Sequence, residues 1–259
     1  MPEAEIHRWL SWGVMGVGLV VFGLLFSVSA PYGRHGRSGW GPTMSTRWAW
    51  IVMESPAVLL FVWVYAQGQH RMAPAPLILL FLWQVHYVNR TFIYPFRLRG
   101  GDKSTPVLVA VLAFGFQLVN SYLNARHISH LGHYGPEWIH DPRLWIGVGL
   151  FMTGRRINLW SDAVLRGLRK QDVAADAAPA ERYAIPRGGL YEWVSCPNYF
   201  GECVEWLGWA IASWSLAGAS FAVFTFANLA PRAIAHHRWY RETFPDYPRD
   251  RRAILPGLW

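Results

Sequence analysis

Residues 183–209 read YAIPRGGLYEWVSCPNYFGECVEWLGW. A Pro/Gly turn at Pro186, Gly188 and Gly189 is followed by a second break at Pro197, where an apolar helix begins. That helix carries two acids, Glu202 and Glu205, in its first turns. A charge inside hydrocarbon costs at least ~2.5–3.5 kcal/mol, so two acids in an apolar helix need a reason. Spaced by three, they share one helix face. Gly201 lets another chain or a ligand approach the backbone there. The stretch predicts a ligand site built into the end of a membrane helix.

Composition extends that reading to the whole chain. Of 259 residues, 53% are hydrophobic and only 15% charged, whereas soluble domains carry nearer ~25% charge. The 16 Trp suit interfacial belts better than a soluble core. The net charge of +8 is the kind left by Lys and Arg held in cytoplasmic loops, and no nucleic-acid partner is expected. Cys196 and Cys203, the two cysteines, make neither a disulfide framework nor a metal-ligand pattern. The N-terminal apolar run follows Glu3 and Glu5 and has no small-residue cleavage site soon after it, so it is expected to be a retained helix.

A span of ~30 Å needs about 20 apolar residues. Such runs lie at 9–29, 48–66, 76–96, 106–124 and 144–165. The run 199–233 is too long for one span, and 214–218 reads as a short turn inside it. The expectation is therefore all-α: a polytopic membrane protein of seven transmembrane helices forming one domain over 1–259. With the N-terminus outside and the C-terminus cytoplasmic, all of the 24 Lys and Arg except Arg8, Arg71, Arg126 and Arg143 fall inside or at inner helix ends. Segments 97–105 and 174–181 read as mobile inner loops. The location is an integral membrane one, in a bacterial inner membrane or the endoplasmic reticulum, and the chain is expected to be a monomer.

With that topology the polar residues line up by depth. Glu54 lies about 10 Å into the second helix and Tyr87 about 13 Å into the third, so they can face each other. Pro56 would kink the second helix and free a backbone carbonyl. A neutral carboxylic acid beside a phenol is a pair of donors suited to polarising a carbonyl; the alternative is a polar clamp between helices. Tyr87, Arg90 and Tyr94 share a face of the third helix. Asn158, Asp162, Arg166 and Arg169 share one on the fifth, and Arg232, His236 and Tyr240 share one on the seventh. Together with Glu202 these faces open on one cytoplasmic vestibule. Arg166, Arg169 and Arg232 suit phosphates, while Asp162, Glu202, Asn158 and Asn198 suit ribose hydroxyls or an amide. A nucleotide-type cofactor follows. His127, His130 and His133 walk around a helix at the outer side, and no metal is expected there.

The same residues carry a resemblance. The segment from Asn158 through Asp162, Arg166 and Arg169 to Lys170 is similar to the C-terminal region of the steroid 5-alpha-reductases. So are Ile185–Leu190 (IPRGGL), Asn198–Glu202 (NYFGE), Glu205-Trp206, the stretch from Arg232 to Tyr240, and Asp246-Tyr-Pro248. Upstream, Tyr32-Gly-Arg-His35, Glu54-Ser-Pro56 and His86–Tyr94 (HYVNRTFIY) resemble further motifs of that family. The resemblance implies a seven-helix membrane reductase that binds NADPH from the cytoplasmic side and transfers hydride to C5 of a 3-oxo-delta-4 steroid. It implies that Glu54 and Tyr87 hold the C3 carbonyl, in a substrate pocket mainly of the first four helices. It implies that the NADPH site, mainly in 155–259 with the inner loops, is lined by Arg90, Tyr94, Asn158, Asp162, Arg166, Arg169, Tyr183, Asn198, Glu202, Trp206, Arg232, His236 and Tyr240. Met53 stands where some members have Gln, and Ala235 shortens the histidine run before His236. Two other classes share features. Isoprenylcysteine-type methyltransferases, which use S-adenosylmethionine, have a pattern like Pro197–Glu202. A non-catalytic sterol-binding protein would explain the apolar cavity but not the charged vestibule.

Overall fold

The computed structural model describes residues 1–27, 39–98, 103–168 and 179–257. Arg169, the 32–35 motif and residues 174–178 of the loop read above lie outside them. The long helices are α1 (Glu3–Ser27), α2 (Thr46–Ala66), α3 (Pro74–Val88), α5 (Val107–Arg126), α6 (Pro142–Leu168), α8 (Pro197–Ser213) and α9 (Leu216–Thr243). Two four-residue helices, α4 (Tyr94–Arg97) and α7 (Pro179–Arg182), complete the set among the described residues. α3 runs through a π turn, Asn89–Ile93, into α4, and α5 runs into a second π turn, His127–Leu131.

Among the described residues, three helical stretches are long and apolar enough to cross a membrane: Glu3–Ser27, Thr46–Ala66 and Val107–Leu131. Their outer faces carry large apolar side chains with no protein over them, such as Leu19, Leu59, Trp63 and Leu112, each more than 60% exposed. In water such a surface would mark an interface; against lipid it carries no penalty, and the chain is a membrane protein.

Local chemistry sets the helix limits. Pro74 and Pro197 sit at the starts of α3 and α8, where a missing N–H costs nothing. The turn expected at 214–218 is a tight corner. Trp214 takes the left-handed conformation at φ 44°, and the Ser215 hydroxyl caps α9 by accepting from the Gly218 N–H at 2.9 Å. Pro56 has no N–H to give to the carbonyl of Val52, and the Ser55 hydroxyl takes its place at 3.0 Å.

One amendment to the all-α expectation is a short antiparallel ribbon, β1 (Thr43–Ser45) with β2 (Ser104–Pro106). It lies at the starts of α2 and α5, and the Thr46 hydroxyl ties it to the Lys103 carbonyl at 2.7 Å. The described end of the 97–105 segment is thus a paired strand rather than a free loop.

The helices pack in pairs: α6 along α8, α2 along α5 and α1 along α9. The α6–α8 seam is the tightest, with Gly147 and Gly154 facing Gly208 and Gly201 so closely that backbone meets backbone. Gly201 does what the sequence suggested, and what approaches it is α6. The core between the pairs is aromatic: Phe61 stacks on Trp83 at 4.4 Å, and Trp206, Trp209, Phe151 and Phe221 close around them. A C-terminal cap docks beside α8, where Ser195 N–H donates to the Arg252 carbonyl at 2.8 Å. Arg251, 1% exposed, donates to the Pro186 carbonyl at 2.9 Å and neighbours Glu192. The Gly188 N–H, and then Arg251, hold the Glu192 carboxyl below its ordinary range.

Candidate active site

A cavity of about 530 Å³ runs through the helix bundle. α9 gives its length and its gradient. From Phe221 to His236, both on the wall, the helix rises about 22 Å at ~1.5 Å per residue. Phe221 and Phe224 line one end, Arg232 and His236 the other, and Asn228 lies between. Met53, Val109, Ala113 and Phe116 from α2 and α5 add apolar wall.

Glu54 and Tyr87 come together on the cavity wall, as their depths required, but through a third residue. Gln117 of α5 donates to Glu54 Oε2 at 2.7 Å and to the Tyr87 hydroxyl oxygen at 3.2 Å. Tyr87, 2% exposed, is braced by Trp83 at 4.8 Å and Trp206 at 5.6 Å between ring centroids.

The π turn after α3 carries the chain from Tyr87 to Arg90 and Tyr94, all on the cavity wall; such insertions recur at functional sites. Arg90 is not an open phosphate ligand. Its Nη1 lies 3.8 Å from Asp162 and its Nη2 3.7 Å from Glu202. Its guanidinium lies over the rings of Trp50 at 4.5 Å and Tyr94 at 4.7 Å. The carboxyl oxygens of Asp162 and Glu202 around Arg90 are acceptors suited to ligand hydroxyls. α6 and α8 complete the set. The Asn158 amide donates to the Asn198 carbonyl at 3.0 Å and to Glu202 at 3.3 Å, and the Asn198 amide donates to Asp162 at 3.1 Å.

Tyr183, Trp206, Arg232 and His236 also line the cavity, with the Tyr199 hydroxyl 3.2 Å from His236. Arg166 and Tyr240 do not. They line an adjoining recess of about 210 Å³ that shares Tyr94, Asp162, Tyr183 and Asn198 with the main cavity. Arg169 is outside the described residues. The two acids that opened the sequence reading part company. Glu202 faces the cavity, while Glu205, 0% exposed, turns to His86 at 2.9 Å and Arg155 at 3.6 Å. They keep one face of the regular helix α8 and differ only in the partners packed against them.

Sequence reading missed Gln117, His86 and Asn228. Gln117, Asn120 and Asn124 recur at i, i+3 and i+7 within an apolar run, which is the signal that could have found the first. Asn228 is more telling. Its Oδ1 is buried on the cavity wall with no hydrogen-bond partner among the described residues, so a ligand N–H would satisfy it. A dinucleotide with a carboxamide fits this set: an orphaned acceptor, acids and amides for hydroxyls, and Arg232 with Arg166 for phosphate.

The fold and cavity define a class: a helical membrane protein whose internal site joins an apolar compartment to a charged one. A sequence model described as 3-oxo-5-alpha-steroid 4-dehydrogenase matches residues 103–259. A steroid 5-alpha-reductase of Gossypium hirsutum is 45% identical over 91% of this chain and 90% of its own length. The 3-oxo-5-alpha-steroid 4-dehydrogenase 1 of Homo sapiens is 44% identical over 100% of this chain and 97% of its own, and that of Bos taurus is 44% identical over 100% and 99%. The chain belongs to the steroid 5-alpha-reductase family and is an oxidoreductase.

Proposed function

We propose that the chain reduces the delta-4 double bond of a 3-oxo-delta-4 steroid, with NADPH as reductant. The observation that carries this is the joint placement of Glu54 and Tyr87, bridged by Gln117, on the wall of the cavity whose other end holds Arg232, His236, Asp162 and Glu202. The family of the chain supports it. A reduced nicotinamide supplies the hydride when bound; the protein supplies placement and electrostatics.

The roles of the residues follow from their chemistry. Asn158, Asp162, Asn198 and Glu202 would hold ribose hydroxyls, with Arg90 keeping the two acids in place. Arg232 at the cavity and Arg166 in the recess would take phosphate. Asn228 Oδ1 would accept from a carboxamide. Tyr94, Tyr183, Trp206, His236 and Tyr240 would shape the walls, and Arg169 would add a further cation. The steroid would lie among Met53, Phe116, Phe221 and Phe224 with its C3 oxygen on Glu54 and Tyr87. As C5 gains the hydride, negative charge moves through C4 to that oxygen. The two donors stabilise the enolate, and a proton from water or Tyr87 then closes the reaction at C4. Trp206 and Phe221 on the cavity wall would limit the access of bulk water to the enolate.

The seven long helices would all span, with the N-terminus outside and the C-terminus cytoplasmic. The charged end then opens to the cytoplasm, while an apolar steroid enters from the bilayer.

Glu54→Gln and Tyr87→Phe test the mechanism. Each removes or weakens one donor to the enolate, at a cost of about 2.7–4 kcal/mol in the barrier, a loss on the order of 100-fold or more in turnover. NADPH binding, read by fluorescence quenching or thermal shift, should persist in both. Near-normal turnover in both variants would refute the carbonyl-polarising role.

A further inference from the structure

Gln117 uses both of its amide hydrogens on the two carbonyl-polarising residues, and the direction of that amide is set far from them. Trp209 Nε1–H can only donate, and it donates to Asn124 Oδ1 at 2.8 Å. Asn124 must therefore turn its Nδ2 the other way, and it donates to Asn120 Oδ1 at 2.9 Å. Asn120 in turn presents its Nδ2 to Gln117 Oε1 at 3.3 Å. The oxygen of Gln117 is thereby taken, and its Nε2 must face Glu54 and Tyr87. Gln117 is 7% exposed, Asn120 and Asn124 are each 1% and Trp209 is 0%, so water does not compete along the chain. One donor-only indole thus orients three amides in series.

The consequence is for the protons at the site. The Tyr87 oxygen accepts from Gln117, so its own O–H has to point elsewhere. Glu54 Oε2 accepts as well, so a proton on that carboxyl sits on Oε1. We propose that Gln117 is a positioning residue that aims the Tyr87 and Glu54 protons into the cavity, with Trp209, Asn124 and Asn120 fixing its orientation. A flipped Gln117 would invite Tyr87 to donate to the protein instead of to a carbonyl. This rests on the carbonyl-polarising reading above and adds to it a residue of the cavity wall that acts through its two neighbours.

Gln117→Met tests it, because methionine keeps the length and volume and removes both donors. A misaimed donor costs on the order of 10- to 100-fold in rate. The expectation is a fall of that size in kcat for a 3-oxo-delta-4 steroid, with its KM and the NADPH-induced thermal shift little changed. In a Tyr87→Phe background the same substitution should cost several-fold less, since one of the groups it aims is already gone. A merely structural role would lower stability or raise KM and would add its cost independently of Tyr87. If Gln117→Met does not accumulate as folded protein, Trp209→Phe asks the same question by removing the donor that sets the direction, and kcat should again fall with KM retained. Wild-type kcat in the folded variant, or a loss fully additive with Tyr87→Phe, overturns the assignment of Gln117. Either result leaves the roles of Glu54 and Tyr87 standing, because their own single variants decide those separately.

Discussion

Gly154→Ala would strain the seam that holds the charged end of the cavity together. A Cβ at Gly154 meets Glu205 N at 2.3 Å, the Gly201 carbonyl oxygen at 2.4 Å and Glu205 Cα at 2.8 Å, against ordinary contact from 3.4 Å. All three are backbone atoms of α8, so no side chain can rotate away. The helices must separate by about 1 Å, and overpacking of this kind costs roughly 1–3 kcal/mol. The same displacement would stretch the Asn158–Asn198 bond from 3.0 Å and the Asn198–Asp162 bond from 3.1 Å beyond hydrogen-bond length. Losing both adds roughly 0.5–1.5 kcal/mol each, for a total of about 2–6 kcal/mol. At roughly 2–4 °C per kcal/mol for a chain of this size, Tm should drop by at least about 4 °C, and NADPH affinity should fall with it. Gly149→Ala on the same helix is the control. Nothing lies within 4 Å of its Cβ, and alanine favours a helix over glycine by roughly 0.5–1 kcal/mol, so that variant should match or exceed wild type. Thermal unfolding in detergent, with and without NADPH, reads both. A Gly154→Ala protein as stable as Gly149→Ala, with unchanged NADPH affinity, would show that the seam does not work as described.

Two further outcomes are expected. Arg251→Met keeps the stem but leaves the Pro186 carbonyl without its donor; stability should fall by about 1–3 kcal/mol, and limited proteolysis should speed up near 186–192. Arg166→Ala and Arg232→Ala should each weaken NADPH binding, and at least one should lower the preference for NADPH over NADH by tenfold or so, the scale of removing one charge-assisted hydrogen bond; titration of both cofactors with each variant checks this.

Much of the architecture was legible because membrane helices announce themselves by length and hydropathy. The corner at Trp214–Ser215 was legible too, since a run from 199 to 233 cannot be one span. Glu54 and Tyr87 could be paired by counting residues from helix ends. What a one-dimensional reading could not supply was the partner from a third helix. Gln117 is 63 residues from Glu54, and its helical spacing with Asn120 and Asn124 marks a polar face without naming the acid it meets. Met53 beside the acid offers it no hydrogen bond, and an amide reaches that acid from α5 instead. The partners of Glu205 were out of reach for the same reason: helical spacing predicts which residues share a face, not which neighbour packs against it. The β1–β2 ribbon was missed because three-residue strands carry no periodicity to detect.

A polar group in a bilayer must be satisfied by the protein itself, and that requirement explains the layout of the site better than catalysis alone does. Each of four acids near the cavity has a protein partner: Glu54 has Gln117, Asp162 has Asn198, Glu202 has Asn158, and Glu205 has His86 and Arg155. Every one of these partners comes from a different helix than its acid, so the bonds that make the acids tolerable also lock the helices in register. Side chains held in that way do not need to reorganise when charge develops on a bound carbonyl, which is the condition under which donors in an apolar site lower a barrier most. Asn228 Oδ1 on the cavity wall and Glu205 Oε2 are buried acceptors with no hydrogen-bond partner among the described residues. Of the two, Asn228 lines the cavity, where the N–H of a bound carboxamide would satisfy it.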